Sequence, residues 1–222
     1  IQSDEVMHEK YLPIIKARCE ELLEDKEVEA LLFRYRHFYG DYNHYLQSHG
    51  IYPKEMRVIR NLPDIHSWGD AQSFRRIPNF DGKNYRQKEG SFKLKAAKVE
   101  AYMFHYGWTR PPKYMQNKRK NLHTVFKGEK KAAKMFENTV EDFDYGALGN
   151  LQKYMEPHPA VLEEKIKDFH WADQLNYGKS HQLNRPLHKH EKPKNVFLTK
   201  IENTFLNGNQ IFGYSNWKLL KR

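Results

Sequence analysis

The second to fifth residues, Gln2-Ser3-Asp4-Glu5, set two adjacent carboxylates ahead of an apolar-periodic stretch. Carboxylate oxygens at the junction of a strand and a helix suit a hard divalent cation such as Mg²⁺ or Mn²⁺, whose remaining positions phosphate oxygens can fill. The same residues serve as helix N-terminal caps, which is their commoner role. A second group sits mid-chain in FHYGWTRPPKYMQNKRK, where His105, Tyr106 and Trp108 precede Arg110, Lys113, Lys118 and Arg119. Positioned cations of this kind stabilise negative charge that develops on a leaving group. The ordinary alternatives are a solvated helix face for the cations and core packing for the histidine and the aromatics. His188 and His190 in LHKHEK have neither a third ligand nearby nor a fixed helical spacing, so they read as a surface loop and not as a zinc site. There is no phosphate-cradling Gly-rich P-loop, no G-x-S-x-G elbow and no Cys/His nucleophile pattern, which removes the commonest kinase and hydrolase readings.

These residues need elements to hold them. Leu12, Ile15, Cys19, Leu22 and Leu23 recur at helical spacing in EKYLPIIKARCEELLEDK, with Pro13 tolerable in the first turn. EALLFRYRHFYG, ending at Gly40, reads as a strand, and KEMRVIRN as another with Met56 and Val58 on one face and Arg57 and Ile59 on the other. In KVEAYMFHYGW, Val99, Ala101, Met103 and His105 alternate with Glu100, Tyr102, Phe104 and Tyr106. GDAQSFRR between these strands predicts a short helix, which Asp70 would cap. Beyond Pro111-Pro112 the pattern turns helical, at PKYMQNKRKNLHTVF, KKAAKMFEN, PAVLEEKIKDF and KNVFLTKIENTFLNG. The expectation is an α/β chain: a mixed sheet flanked by helices within residues 1–135 and a helical extension over 136–222, forming one domain.

Composition narrows the class. The 222 residues are 39% hydrophobic and 30% charged, with a net charge of +10. A chain of this length can bury roughly 70% of its unfolded surface. No apolar run approaches the roughly 18–20 residues that span a bilayer, and the first residues lack a signal-peptide pattern. One cysteine, Cys19, allows no internal disulfide, which favours a reducing compartment, the cytoplasm by default. The basic excess is local: residues 61–135 carry 17 Lys/Arg against 6 Asp/Glu, while the flanking segments are nearly neutral. An anionic partner follows, whether a phosphorylated substrate, a membrane surface or a nucleic acid.

QSDEVMHEKYL, LLFRYRHFYGDY, EMRVIRN, DAQSFR, FHYGWTRPPKYMQNKRK and GYSNWKLLKR, in that order along nearly the whole chain, resemble a bacterial branch of the family 2 glycosyltransferases, nucleotide-sugar enzymes of the GT-A fold. The resemblance implies the C-terminal part of a GT-A-like sheet, with the nucleotide-binding half expected upstream of Ile1. It implies that Asp4 is the second aspartate of the Asp-x-Asp motif, reaching the donor diphosphate through Mn²⁺ or Mg²⁺. Gln2 replaces the first aspartate; its amide can hydrogen-bond the donor but brings no charge to the metal. Glu5 ranks below Asp4, as a supporting carboxylate or a cap. His105 would complete the metal coordination, Asp70 would be the general base of an inverting transfer, and Arg110, Lys113, Lys118, Arg119 and Trp108 would contact the donor.

The implied activity is transfer of a sugar from a nucleotide-diphosphate donor to a hydroxyl acceptor, a glycan or lipid-linked glycan. Polysaccharide or lipopolysaccharide synthesis at the inner face of an anionic membrane would be the setting. The competing reading is a basic, aromatic-rich nucleic-acid-binding module without enzymatic activity. Against it stands the scatter of the aromatics through strands and helices, with no recognisable RNA-binding motif.

Overall fold

The apolar spacing around Leu12 does produce a helix, and each alternating run produces a strand. In the computed structural model, which describes residues 2–69, 73–137, 139–183 and 185–222, the strands in chain order are β1 (Glu5–Met7), β2 (Ala30–Tyr39), β3 (His44–Leu46), β4 (Lys54–Ile59), β5 (Ile65–Trp68), β6 (Ser73–Arg76), β7 (Phe92–Trp108), β8 (Gln152–Lys153) and β9 (Trp217–Leu219). The helices are α1 (Leu12–Glu21), α2 (Pro112–Lys127), α3 (Glu129–Phe136), α4 (Glu163–Lys167) and α5 (Pro193–Phe205). The architecture is α/β, an open and mostly antiparallel sheet flanked by helices. β2 is antiparallel to β3 and β4, β6 to β5 and β7, and β3 to β8, whereas β9 runs parallel to β7.

The chain forms two compact units, one made of Ile1–Arg36, Tyr52–Phe104 and Lys200–Arg222, the other of His37–Ile51 and His105–Thr199. In the first unit, the period-2 alternation of β2 sends Leu31, Phe33 and Tyr35 to one face. There they pack with Val99, Ala101 and Met103 of β7 and with Ile15 and Leu22 of α1. Ala30 and Leu32 take the other face with Met56, Ile65, Leu94 and Ala96. Burying a side chain such as Phe33 or Met103 completely stabilises the fold by about 1.5–3 kcal/mol. Leu12 and Leu23, read above as part of the apolar stripe, are exposed.

Strand β4 corrects the expected face assignment. Leu31 pairs with Val58 and Leu32 with Met56, so Arg57 is an extra residue, a β-bulge. The bulge reverses the alternation: Val58 packs on the α1 side, while Met56 and Ile59 pack with the opposite core. SFRR is likewise a strand and not a helix. It pairs with β5 in the register Ile65↔Arg76 to Trp68↔Ser73, and Ser73 and Arg75 are buried while Phe74 and Arg76 are only partly so.

In the second unit, Tyr39, Leu46, Met115, Phe143, Tyr145 and Leu148 form the core. Gly40 turns the chain after β2 at φ +80°, a conformation that favours glycine, and its N–H donates to the Trp108 carbonyl at 2.9 Å. The helical extension expected over 136–222 is realised only as α4 and α5. Much of the remainder is irregular backbone, and residues 217–219 return to the first unit as β9.

Candidate functional site

Residues Gln2 to Glu5 form a tight turn, closed by the Glu5 N–H donating to the Gln2 carbonyl at 3.1 Å. Its two carboxylates have opposite fates. Glu5 is buried, and its oxygens accept from Arg57 Nε and Nη2, both at 2.7 Å, from the Tyr35 hydroxyl at 2.9 Å and from the Gln2 N–H at 3.1 Å. Burial alone would raise the pKa of Glu5, but the two hydrogen bonds and the charge of Arg57, aided by Gln2 and Tyr35, hold it below the usual carboxylate value. Asp4 is half-buried on the outer part of the same turn, as is Gln2, and Ser3 is exposed. Glu5 is therefore an anchor beneath the turn, and Asp4 is the less enclosed of its two carboxylates. Arg57 can reach Glu5 because it is the bulged residue, turned to the same side as Tyr35, over whose ring its guanidinium lies at 5.4 Å.

A second buried carboxylate of the first unit was not singled out from sequence. Glu55 accepts from the Met56 N–H and the Ser73 hydroxyl, both at 2.9 Å, and burial raises its pKa despite those bonds. Its strand neighbours gave no hint, since Lys54-Glu55 reads as the ordinary charged start of a strand. Asp70, the expected general base, lies outside the described residues.

His105, Trp108, Arg110, Lys113, Lys118 and Arg119 all belong to the second unit. His105 is buried, with its Nδ1 3.1 Å from Nδ1 of His37. One of those nitrogens must carry the proton and the other accept it, which fixes opposite tautomers on the two rings. Tyr106 stacks on Phe38 at 4.6 Å and shares a 2.8 Å hydrogen bond with His158 Nδ1. Trp108 packs against Tyr39 and Phe143, each at 5.9 Å, as part of the core.

The cations are spread over different tasks. Arg119 lies over Phe143 at 5.1 Å and Phe136 at 5.6 Å, with burial lowering its pKa. Lys118 donates to the Gly107 carbonyl at 2.8 Å. Lys113 pairs with Glu141 at 2.8 Å on the surface, and Arg110 is exposed, its carbonyl accepting from the Tyr145 hydroxyl at 2.8 Å. Of these basic residues, Arg110 and Lys113 are exposed.

The histidines assigned above to a surface loop are structural. His188 stacks on Phe143 at 5.1 Å and 14°, and His190 packs edge-on against Tyr39 at 5.1 Å. Burial holds both largely neutral, His190 with its pKa pushed down to about 4. Glu191 accepts the His188 N–H at 2.6 Å and forms a two-bond pair with Arg185 at 2.6 and 2.9 Å. A neutral imidazole packs as a small aromatic, which a hydropathy reading of LHKHEK does not reveal.

Among the described residues no group of three or more His, Cys, Asp or Glu side chains is arranged to hold a metal ion. No helix among them is long and apolar enough to cross a membrane. In comparisons with protein-family models, with curated proteins and with solved structures, nothing matches this chain.

Proposed function

We propose that this chain belongs to a nucleotide-sugar-dependent glycosyltransferase of family 2, transferring a sugar to a hydroxyl acceptor with inversion. The observation that carries the reading is the Gln2–Glu5 turn, whose backbone a buried Arg57–Glu5 pair fixes beneath the half-buried Asp4. The motif order along the chain and the mixed, helix-flanked sheet agree with it.

The donor set at the turn is one carboxylate and one amide, with no all-protein cage. That fits Mg²⁺ or Mn²⁺ of the kind that takes one or two protein oxygens and fills its other positions with phosphate oxygens and water. Bound there, the ion would neutralise charge on the donor diphosphate. Asp4 would hold it.

The remaining steps fall to the chain's own groups. Gln2, as an uncharged amide, would hydrogen-bond the donor. Asp70 would take the proton from the attacking acceptor hydroxyl as its oxygen bonds to the anomeric carbon and the bond to the diphosphate breaks. Among the cations of the second unit, Arg110 is exposed, whereas Lys118 and Arg119 hold backbone and aromatic partners. In a screen of nucleotide sugars with Mn²⁺ or Mg²⁺, Asp70→Asn should keep donor binding and lose at least about a hundredfold in turnover, the usual size of a general-base contribution. Full turnover in that variant would remove Asp70 from the role.

A further inference from the structure

The second unit holds a cavity of about 450 Å³, within the size range of small-molecule sites, that the reading above does not use. Asp41, Asn43, His44, Lys153 and Tyr177 are among its lining residues. Asp41 is 2% exposed, and its carboxylate accepts from the Asn43 N–H at 2.9 Å and the His44 N–H at 2.8 Å, a side-chain turn that leads into β3. The Tyr177 hydroxyl hydrogen-bonds the same carboxylate. Nδ1 of His44 lies 2.9 and 3.0 Å from its two oxygens. A carboxylate only accepts, so Nδ1 carries the proton and Nε2 of the neutral ring is a bare acceptor. Among the described residues nothing donates to Nε2, and it is not sealed from solvent: it opens into the cavity.

A cation stands beside that acceptor. The antiparallel register sets His44 directly opposite Lys153 of β8, which places the two side chains on one face of the strand pair. Lys153 is exposed and has no carboxylate partner among the described residues. The Tyr177 ring, 45% exposed, meets the His44 ring at 5.8 Å and 45° and supplies an apolar wall. Asp41 does not oppose an anion here, since its oxygens are occupied by the donors of Asn43, His44 and Tyr177. Glu156 lies exposed on another part of the lining.

We propose that this cavity binds a small hydroxylated oxyanion, a phosphate monoester or carboxylate on a short carbon skeleton. Its hydroxyl donates to Nε2 of His44, its anionic oxygens accept from Lys153, and its carbons lie against Tyr177. The pairing sets the class: a neutral polyol leaves the ammonium unmatched, and an oxyanion without a hydroxyl leaves Nε2 unmatched. Asp41 is a positioning residue that fixes the tautomer and orientation of the imidazole. The inference stands or falls independently of the glycosyltransferase reading.

Isothermal titration calorimetry with glycerol 3-phosphate and with glycerate, against glycerol and sulfate as controls, tests it. At least one of the first two should bind with a dissociation constant of about 1 mM or tighter, and both controls at least about tenfold more weakly. The tighter of the two tells a phosphate ligand from a carboxylate. Lys153→Met should weaken binding at least about tenfold with an unchanged thermal midpoint, because the side chain is exposed. His44→Phe should abolish binding, with a lower midpoint because Asp41 loses a donor. Diethyl pyrocarbonate, which acylates a bare imidazole nitrogen, should label His44 in the unliganded protein, and the bound probe should protect it. No binding of either hydroxylated probe, equal binding of sulfate or glycerol, intact binding in Lys153→Met, or an unlabelled His44 would each overturn the proposal and leave the Asp41–His44 pair as the hydrogen-bonded start of β3.

Discussion

Replacing Arg57 by methionine removes a buried charge while keeping most of the side-chain volume, and its effect can be worked from the geometry. The Arg57 and Glu5 side chains are 2% and 0% exposed and meet through two hydrogen bonds of 2.7 Å. Removing one member of such a pair leaves the other charge buried without compensation, a loss of about 3–5 kcal/mol. At about 2–4 °C per kcal/mol for a chain of this size, the thermal midpoint should fall by about 6–20 °C.

Glu5 also gives the effect a pH signature. Its folded pKa is lowered below 4.5, so the wild-type pair contributes fully above that value, and the contribution drains as pH falls through the lowered pKa. In Arg57→Met the burial that pushes Glu5 upward is no longer opposed by a cation, and the carboxyl takes up its proton at higher pH. The gap between the two proteins should therefore be widest near neutral pH and narrow as pH falls through the lowered pKa of Glu5. Adding Glu5→Gln to Arg57→Met should recover part of the loss. Thermal denaturation by circular dichroism from pH 3 to 8 measures all of this. A loss under 1 kcal/mol at pH 7, or a gap that does not change on acidification, would refute the assignment of Glu5 and Arg57 as the anchor of the turn.

Three other outcomes are expected. Burial of His190 favours its neutral form, so stability should decline as pH falls from 6.5 toward 4, and His190→Phe, which keeps the contact with Tyr39, should flatten that slope in pH-dependent denaturation. Gly40→Ala should cost about 1–3 kcal/mol in chemical denaturation, since φ is +80° and the new methyl would sit 3.1 Å from a Leu148 methyl; an unchanged midpoint would speak against that backbone. Ser73→Ala removes a hydroxyl donor from buried Glu55 and should destabilise the fold by about 1–3 kcal/mol in chemical denaturation, with no loss of donor binding.

What could be read from the residues was what depends on periodicity and punctuation. The alternation in LLFRYRHFYG and KVEAYMFHYGW specified β2 and β7, and prolines 111 and 112 marked the start of α2. Arg57 shows where the reading fails: a one-residue bulge leaves composition untouched, yet it reverses which neighbours face the core and turns an arginine toward Glu5. SFRR looked helical beside GDAQ because the partner that makes it a strand, β5, is supplied by tertiary pairing. His188 and His190 were missed because a neutral, packed imidazole has the same letter as an exposed, charged one.

The candidate site was legible as residue types and not as tasks. Asp4 and Glu5 are adjacent in the chain and alike in chemistry, and only the position of Arg57 tells the less enclosed carboxylate from the buried one. Among the cations, Lys118 and Arg119 follow Arg110 within nine residues but are engaged by a carbonyl and by two phenyl rings, which no charge count distinguishes.

The account rests most heavily on Asp4 as the carboxylate that meets a metal-bound diphosphate. Isothermal titration calorimetry of the protein with UDP and with GDP, each with and without Mn²⁺, tests it directly. The expected result is metal-dependent binding of one of the two nucleotides that Asp4→Asn weakens at least about tenfold with no change in thermal midpoint, as for the loss of a charged ligand contact. Binding that needs no metal, or that Asp4→Asn leaves intact, or no binding of either nucleotide, would contradict it.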